Sequence, residues 1–99
     1  MSRIVLRPAA ETDLLQACDW YGRERPELAD AFVDSFEAVL ARIAVMPELY
    51  AIALNSIRWC KLRRFPYLVY YRVLSDRIEV IGVLHASRDP QMWQKRVST

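Results

Sequence analysis

The stretch RRFPYLVYYRVLSDRIEVIGVLH, residues 63–85, decides the fold of this chain. Successive strand residues alternate sides. In YLVYYRVL that puts Leu68, Tyr70, Arg72 and Leu74 on one face and Tyr67, Val69, Tyr71 and Val73 on the other. Both faces are largely apolar or aromatic, which makes this a central strand. A second strand-like run covers residues 77–85, and little more than Ser75 and Asp76 separates the two. So short a link requires an antiparallel hairpin. Pro66 stands before the first run, where its missing N–H removes no ladder hydrogen bond.

Working outward, residues 57 to 65 read as a third strand, preceded by an irregular segment, ELYAIALNS. At the other end of the chain RIVLR, residues 3–7, reads as a short strand that stops at Pro8. Proline's fixed φ and missing N–H suit the first turn of a helix. From Pro8 to Tyr21 the residues Ala10, Leu14, Ala17, Cys18 and Tyr21 recur at spacings of three and four, the mark of an amphipathic helix. Gly22 reads as its stop and Pro26 as a restart. Leu28, Phe32, Phe36, Val39, Leu40 and Ile43 then form the stripe of a second helix, which Pro47 ends. The expected order is β-α-α-β-β-β, an α+β fold in which a helical hairpin packs on a mainly antiparallel sheet. The tail leaves room for a short C-terminal helix. At 99 residues the chain is expected to form a single domain, 1–99.

Composition excludes several function classes. With 54% hydrophobic and 26% charged residues and only two glycines, the chain is a packed globule. No run approaches the roughly 18 uncharged apolar residues of a membrane span, and MSRIVLRPAAETD lacks a signal peptide's apolar stretch, so a cytoplasmic location is expected. Cys18 and Cys60 show no metal-ligand spacing, and His85 is the sole histidine. No metal site is therefore expected. Gly22 and Gly82 lie too far apart for a phosphate-cradling loop, so no nucleotide cofactor is expected. The acids on the helices read as a solvated face.

Charge is unevenly distributed: residues 1–56 sum to −4 and residues 57–99 to +6. Such a split suggests partners of different character for the two halves. Arg58, Lys61, Arg63, Arg64, Arg72 and Arg88 come from adjacent strands and the loop after them. On an extended strand Lys61 and Arg63 share one face and Arg58 and Arg64 the other. The patch is either solubilising charge or a surface that holds an anion, for which the guanidinium fork is suited. Trp59, Tyr67 and Trp93 are packing rings or partner anchors.

RRFPYLVYY, IEVIGVLH and HASRDP followed by Trp93 resemble the toxins of the RelE/ParE superfamily of type II toxin–antitoxin modules, especially the ParE-like, or plasmid-stabilisation, branch. PAAETDLLQACDWY and MPELY agree less specifically. The resemblance implies the β-α-α-β-β-β fold. It also implies a growth-inhibiting toxin neutralised by a cognate antitoxin, which commonly carries an N-terminal DNA-binding domain. ParE-like members inhibit DNA gyrase by binding; RelE-like members cleave mRNA on the ribosome, which is the alternative. Lys61 and Arg63 match basic positions of the nuclease branch, but Tyr67 stands about where that branch has an arginine and Trp93 about where it has a tyrosine. An indole cannot exchange a proton at neutral pH, and the tail QKRVST supplies no replacement. A nuclease would therefore depend on Lys61, Arg63 and His85. The resemblance favours a binder, with Arg58, Lys61, Arg63, Arg64, Arg72, Arg88, Trp93, Lys95 and Arg96 as the candidate contacts to target or antitoxin.

Overall fold

The computed structural model describes residues 3–97. In chain order the elements are β1 (Arg3–Leu6), α1 (Pro8–Glu24), α2 (Pro26–Val45), β2 (Ile52–Leu54), β3 (Ile57–Lys61), β4 (Tyr67–Val73), β5 (Arg77–His85) and α3 (Gln91–Val97). The strands form one sheet in the order β1-β5-β4-β3-β2. β1 runs parallel to β5, and every other pairing is antiparallel. β4 occupies the centre, as its two apolar faces require. No described helix is long and apolar enough to cross a membrane.

The helical hairpin covers one sheet face. Phe32, Phe36, Val39 and Ile43 of α2 bury their stripe in the same cluster as Val69, Tyr71, Val80 and Val83 of the central strands. Tyr21, Phe32, Phe65 and Tyr67 add a ring cluster with centroids 4.8–6.1 Å apart, mostly edge to face. On the opposite face Ile57, Tyr70, Ile81 and Leu84 form a smaller cluster with Trp93 of α3. The Trp93 ring stacks on Tyr70 at 4.9 Å.

Three local expectations are corrected. α1 does not stop at Gly22 but runs to Glu24. The break falls at Arg25, extended at φ −155° and ψ 133°, because a residue before proline is driven out of the α region. Gly22 instead lets the helices approach, since a Cβ there would stand 3.3 Å from Ala29 Cβ. β3 ends at Lys61, and Arg64 turns the chain with φ 73°. The segment read as irregular contains β2, which pairs with β3 across Asn55 and Ser56, with Asn55 at φ 52°. Asparagine is among the few side chains that tolerate this left-handed region in a two-residue turn.

Tyr71, fully buried, donates its hydroxyl to the Pro47 carbonyl at 2.6 Å and ties β4 to the end of α2. Burial, partly opposed by the nearby Arg58 charge, pushes its pKa from 10 up to about 12. An unfolded tyrosine ionises near 10. The neutral phenol therefore contributes stability that is complete below about pH 10 and is lost as pH rises through about 12, some 2–3 kcal/mol in total. Denaturant midpoints are expected to fall across that window in the native chain and much less in Tyr71→Phe.

Candidate functional site

β1 covers β5 only along Arg77 to Val80. Beyond it the outer edge of β5 would expose unpaired backbone groups, which a sheet normally conceals. Here the edge is closed by side chains from both faces. Arg96 of α3 donates from Nη1 to the Ile81 carbonyl at 3.1 Å, while Asp13 of α1 accepts the Val83 N–H through Oδ2 at 3.0 Å. The two side chains meet in a bidentate pair, Nη1 to Oδ2 at 2.6 Å and Nη2 to Oδ1 at 3.0 Å. Arg7 Nη1 donates to the Arg96 carbonyl at 2.7 Å and secures α3 from the junction of β1 and α1. A Cβ at Gly82 would stand 2.8 Å from Arg96 Nη1, so glycine leaves room for this clasp.

A cleft of about 330 Å³ opens beside the clasp, between α1 and the ends of β4 and β5. Gln16, Trp20, Tyr21, Tyr67, His85 and Arg88 line it, together with the Asp13 carboxylate. Trp20 is 59% exposed, which an edge-to-face contact with Tyr21 at 5.1 Å does not remedy. Arg96 compensates the Asp13 charge. Arg88 has no hydrogen-bond or ion-pair partner for its guanidinium among the described residues, leaving the cleft with an uncompensated cation. Burial raises the Tyr67 phenol pKa, and the Arg88 charge partly opposes this. The Nδ1 of His85 accepts the Ser87 N–H at 3.1 Å, with Ser87 Oγ at 2.7 Å. That bond places the proton of the neutral imidazole on Nε2.

The sheet gathers some of the sequence-predicted cations and separates others. The β3–β4 connection lies beside the loop after β5, joined by Ala86 N–H to the Pro66 carbonyl at 2.8 Å. Arg63, Arg64 and Arg88 are thus exposed at one end of the sheet, with Lys61 close by. Lys61 turns its ammonium onto the Leu62 and Phe65 carbonyls at 3.1 and 3.5 Å. The expected face-sharing of Lys61 with Arg63 and of Arg58 with Arg64 does not arise, because β3 ends at Lys61. Arg58 instead donates to the Tyr50 carbonyl at 2.7 Å. Arg72 pairs with Glu79 at 3.0 Å, and Arg7 and Arg77 approach the same carboxylate at 3.3 and 3.7 Å. Trp93 is only 2% exposed and packs α3, while Arg96 belongs to the clasp. Lys95, also on α3, is exposed.

Asp13 and Trp20 escaped the sequence reading of the site. Asp13 carried a signal: it lies three residues after Ala10 and four before Ala17, on the buried face of α1. An acid on an apolar stripe implies a buried partner. Trp20 carried none, since its exposure depends on how the hairpin sits on the sheet.

Residues 4–90 match the family model described as the ParE toxin of the type II toxin–antitoxin system, parDE. The Toxin ParE2 proteins of two Mycobacterium tuberculosis strains, CDC 1551 / Oshkosh and H37Rv, are each 29% identical over 97 residues, covering 97% of this chain and 92% of theirs. A solved structure described as the chromosomal ParDE TA system from P. aeruginosa superposes with a TM-score of 0.69 at 18% identity, covering 86% of this chain and 96% of the other. That likeness shows the same fold, including the helical hairpin on the sheet. With the family model spanning most of its length, the chain belongs to the ParE toxin family of type II toxin–antitoxin systems.

Proposed function

We propose that this toxin acts by binding and not by cleaving a bond, that its cellular target is DNA gyrase, and that it works in the cytoplasm. We propose further that the aromatic cleft and the cations at its end of the sheet form the recognition surface, occupied by an acidic segment of the cognate antitoxin when the toxin is neutralised. The observation that carries this reading is the placement of the would-be nuclease residues. Lys61 pairs with Leu68, which belongs to the outer cluster, so its side chain leaves the sheet on the outer face. His85 pairs with Tyr67 and packs edge to face on its ring at 5.3 Å, on the helical face. An RNA-cleaving centre needs its proton-transfer group and its charge-stabilising cation within reach of one phosphate. Lys61 and His85, on opposite sheet faces, do not meet that need together. Arg88 and Arg63, by contrast, have guanidiniums available for carboxylates, with exposed Trp20 beside Arg88 as an apolar anchor.

The test adds purified, antitoxin-free toxin to gyrase supercoiling and to translation with primer extension on the message. Inhibited supercoiling with intact mRNA is the expected result; A-site cuts with gyrase unaffected would overturn the proposal. In the same assays Arg63→Glu/Arg88→Glu is expected to weaken antitoxin or gyrase binding by roughly a hundredfold, about 1.4 kcal/mol for each tenfold loss. Arg96 is left unaltered because its reversal would break the clasp and confound recognition with folding.

A further inference from the structure

Five of the eight large hydrophobic side chains exposed among the described residues fall within ten positions: Val45, Met46, Leu49, Ile52 and Leu54. They surround β2, the outermost strand on the side of the sheet away from the clasp, and all three residues of β2 are exposed. The Ala51 carbonyl accepts the Trp59 N–H at 3.0 Å and so faces β3. By the alternation of an antiparallel ladder, the N–H and C=O of Ile52 point away from β3, toward the open edge. Residues 49–57, LYAIALNSI, contain no charged side chain. Soluble proteins usually guard such an edge with lysine, proline, a bulge directed away or a covering element. Among the described residues no element covers the outer side of β2.

We propose that β2 is a self-association edge, pairing antiparallel with β2 of a second copy across a two-fold axis and joining two five-stranded sheets into one. The absence of charge selects this occupant. An acidic partner segment would gain no ion pair from the side chains of residues 49–57, and the Arg58 guanidinium beside them is engaged by the Tyr50 carbonyl, whereas the unpaired cations Arg63 and Arg88 lie beyond β3, at the loop end of the sheet. A second copy brings an identical uncharged strand, so self-pairing sets no like charges opposite one another within the ladder. Val45, Met46 and Leu49 line a shallow, mainly apolar hollow just before β2 in the chain, with Pro47 and one charged residue, Glu48. The aromatic cleft beside α1 and the ends of β4 and β5 lies away from β2 and stays open in such a dimer.

The experiment is sedimentation velocity on the full chain without antitoxin, over a wide concentration range. A concentration-dependent monomer–dimer shift is expected. Ile52 and Leu54 are both exposed. Ile52→Lys, which sets like charges opposite one another when Ile52 lies on the two-fold axis, and Leu54→Lys, which places a charge along the apolar seam, are each expected to weaken association by roughly tenfold or more. Mixing Ile52→Lys with Ile52→Glu should restore a heterodimer, which circular dichroism can accompany as a check on folding. A native chain that stays monomeric, lysine variants that associate like the native chain, or a mixture that fails to recover would each overturn the proposal. So would lysine variants that keep native self-association and lose antitoxin capture, because the edge would then belong to the antitoxin.

Discussion

Asp13→Ala is expected to lower stability by about 3 kcal/mol, seen as a fall of roughly 12–25 °C in the melting temperature for a domain of this size. The Asp13 side chain is 8% exposed, accepts the Val83 N–H and meets Arg96 in two hydrogen bonds. Its removal leaves a guanidinium and a backbone donor without their partner. Breaking a buried ion pair costs about 3–5 kcal/mol, and the lower end applies because the Arg96 side chain keeps 20% exposure and can be hydrated. The loss should be local as well as global. Hydrogen exchange is expected to accelerate first at Val83 and in α3, whose attachment otherwise rests on Trp93 and Val97, on the Arg96 bond to the Ile81 carbonyl and on the Arg7 bond to the Arg96 carbonyl. An Asp13→Ala chain with native stability and native exchange in α3 would show that the clasp contributes nothing. Arg96→Ala added to Asp13→Ala should cost little more than the single change, since the pair acts as a unit.

Phe32→Ala is the largest expected single effect in the core. Phe32 is fully buried and its ring touches three others, Tyr21 at 5.5 Å, Phe65 at 5.1 Å and Tyr67 at 5.0 Å. Truncation removes the transfer free energy of the ring and leaves a cavity that a helix packed on a sheet cannot fully close, about 3–5 kcal/mol. A domain of this size is stable by only about 5–15 kcal/mol, so the variant should be marginal at physiological temperature. Phe32→Leu keeps most of the volume and is expected to recover about half of the loss. Equilibrium denaturation with matched m-values distinguishes the two; a loss under 1 kcal/mol in Phe32→Ala would mean that the ring cluster repacks freely. Because Tyr67 and Tyr21 also line the cleft, a loosened cluster should weaken partner binding even in molecules that remain folded.

Much of this was legible in residue order. The stripe from Leu28 to Ile43 named the face of α2, and four of its members, Phe32, Phe36, Val39 and Ile43, are buried. The two apolar faces of YLVYYRVL gave a central strand, and β4 is the middle of five. The errors have local causes. Gly22 looked like a stop but serves helix contact, and the true break came from Pro26 acting on Arg25. The β2–β3 turn was missed because its signal is one asparagine in a segment without alternating polarity.

Among the candidate contacts, charge alone placed Arg72 and Arg96 with Arg63 and Arg88. Whether an arginine is free depends on acids distant in the chain: Glu79 lies seven residues from Arg72, and Asp13 lies 83 residues from Arg96.

By itself the sequence determined the two long helices, every strand but β2, the faces they bury and, through its motifs, the family, because periodicity and turn chemistry are local properties of the chain. Only the tertiary structure decided which cations are available for a partner, that Asp13 and Arg96 seal the edge of β5, that Trp20 stands over a cleft, and that Lys61 and His85 leave the sheet on opposite faces. Each of those follows from pairing register and from contacts between residues far apart in sequence, which nothing in the order of neighbouring residues encodes.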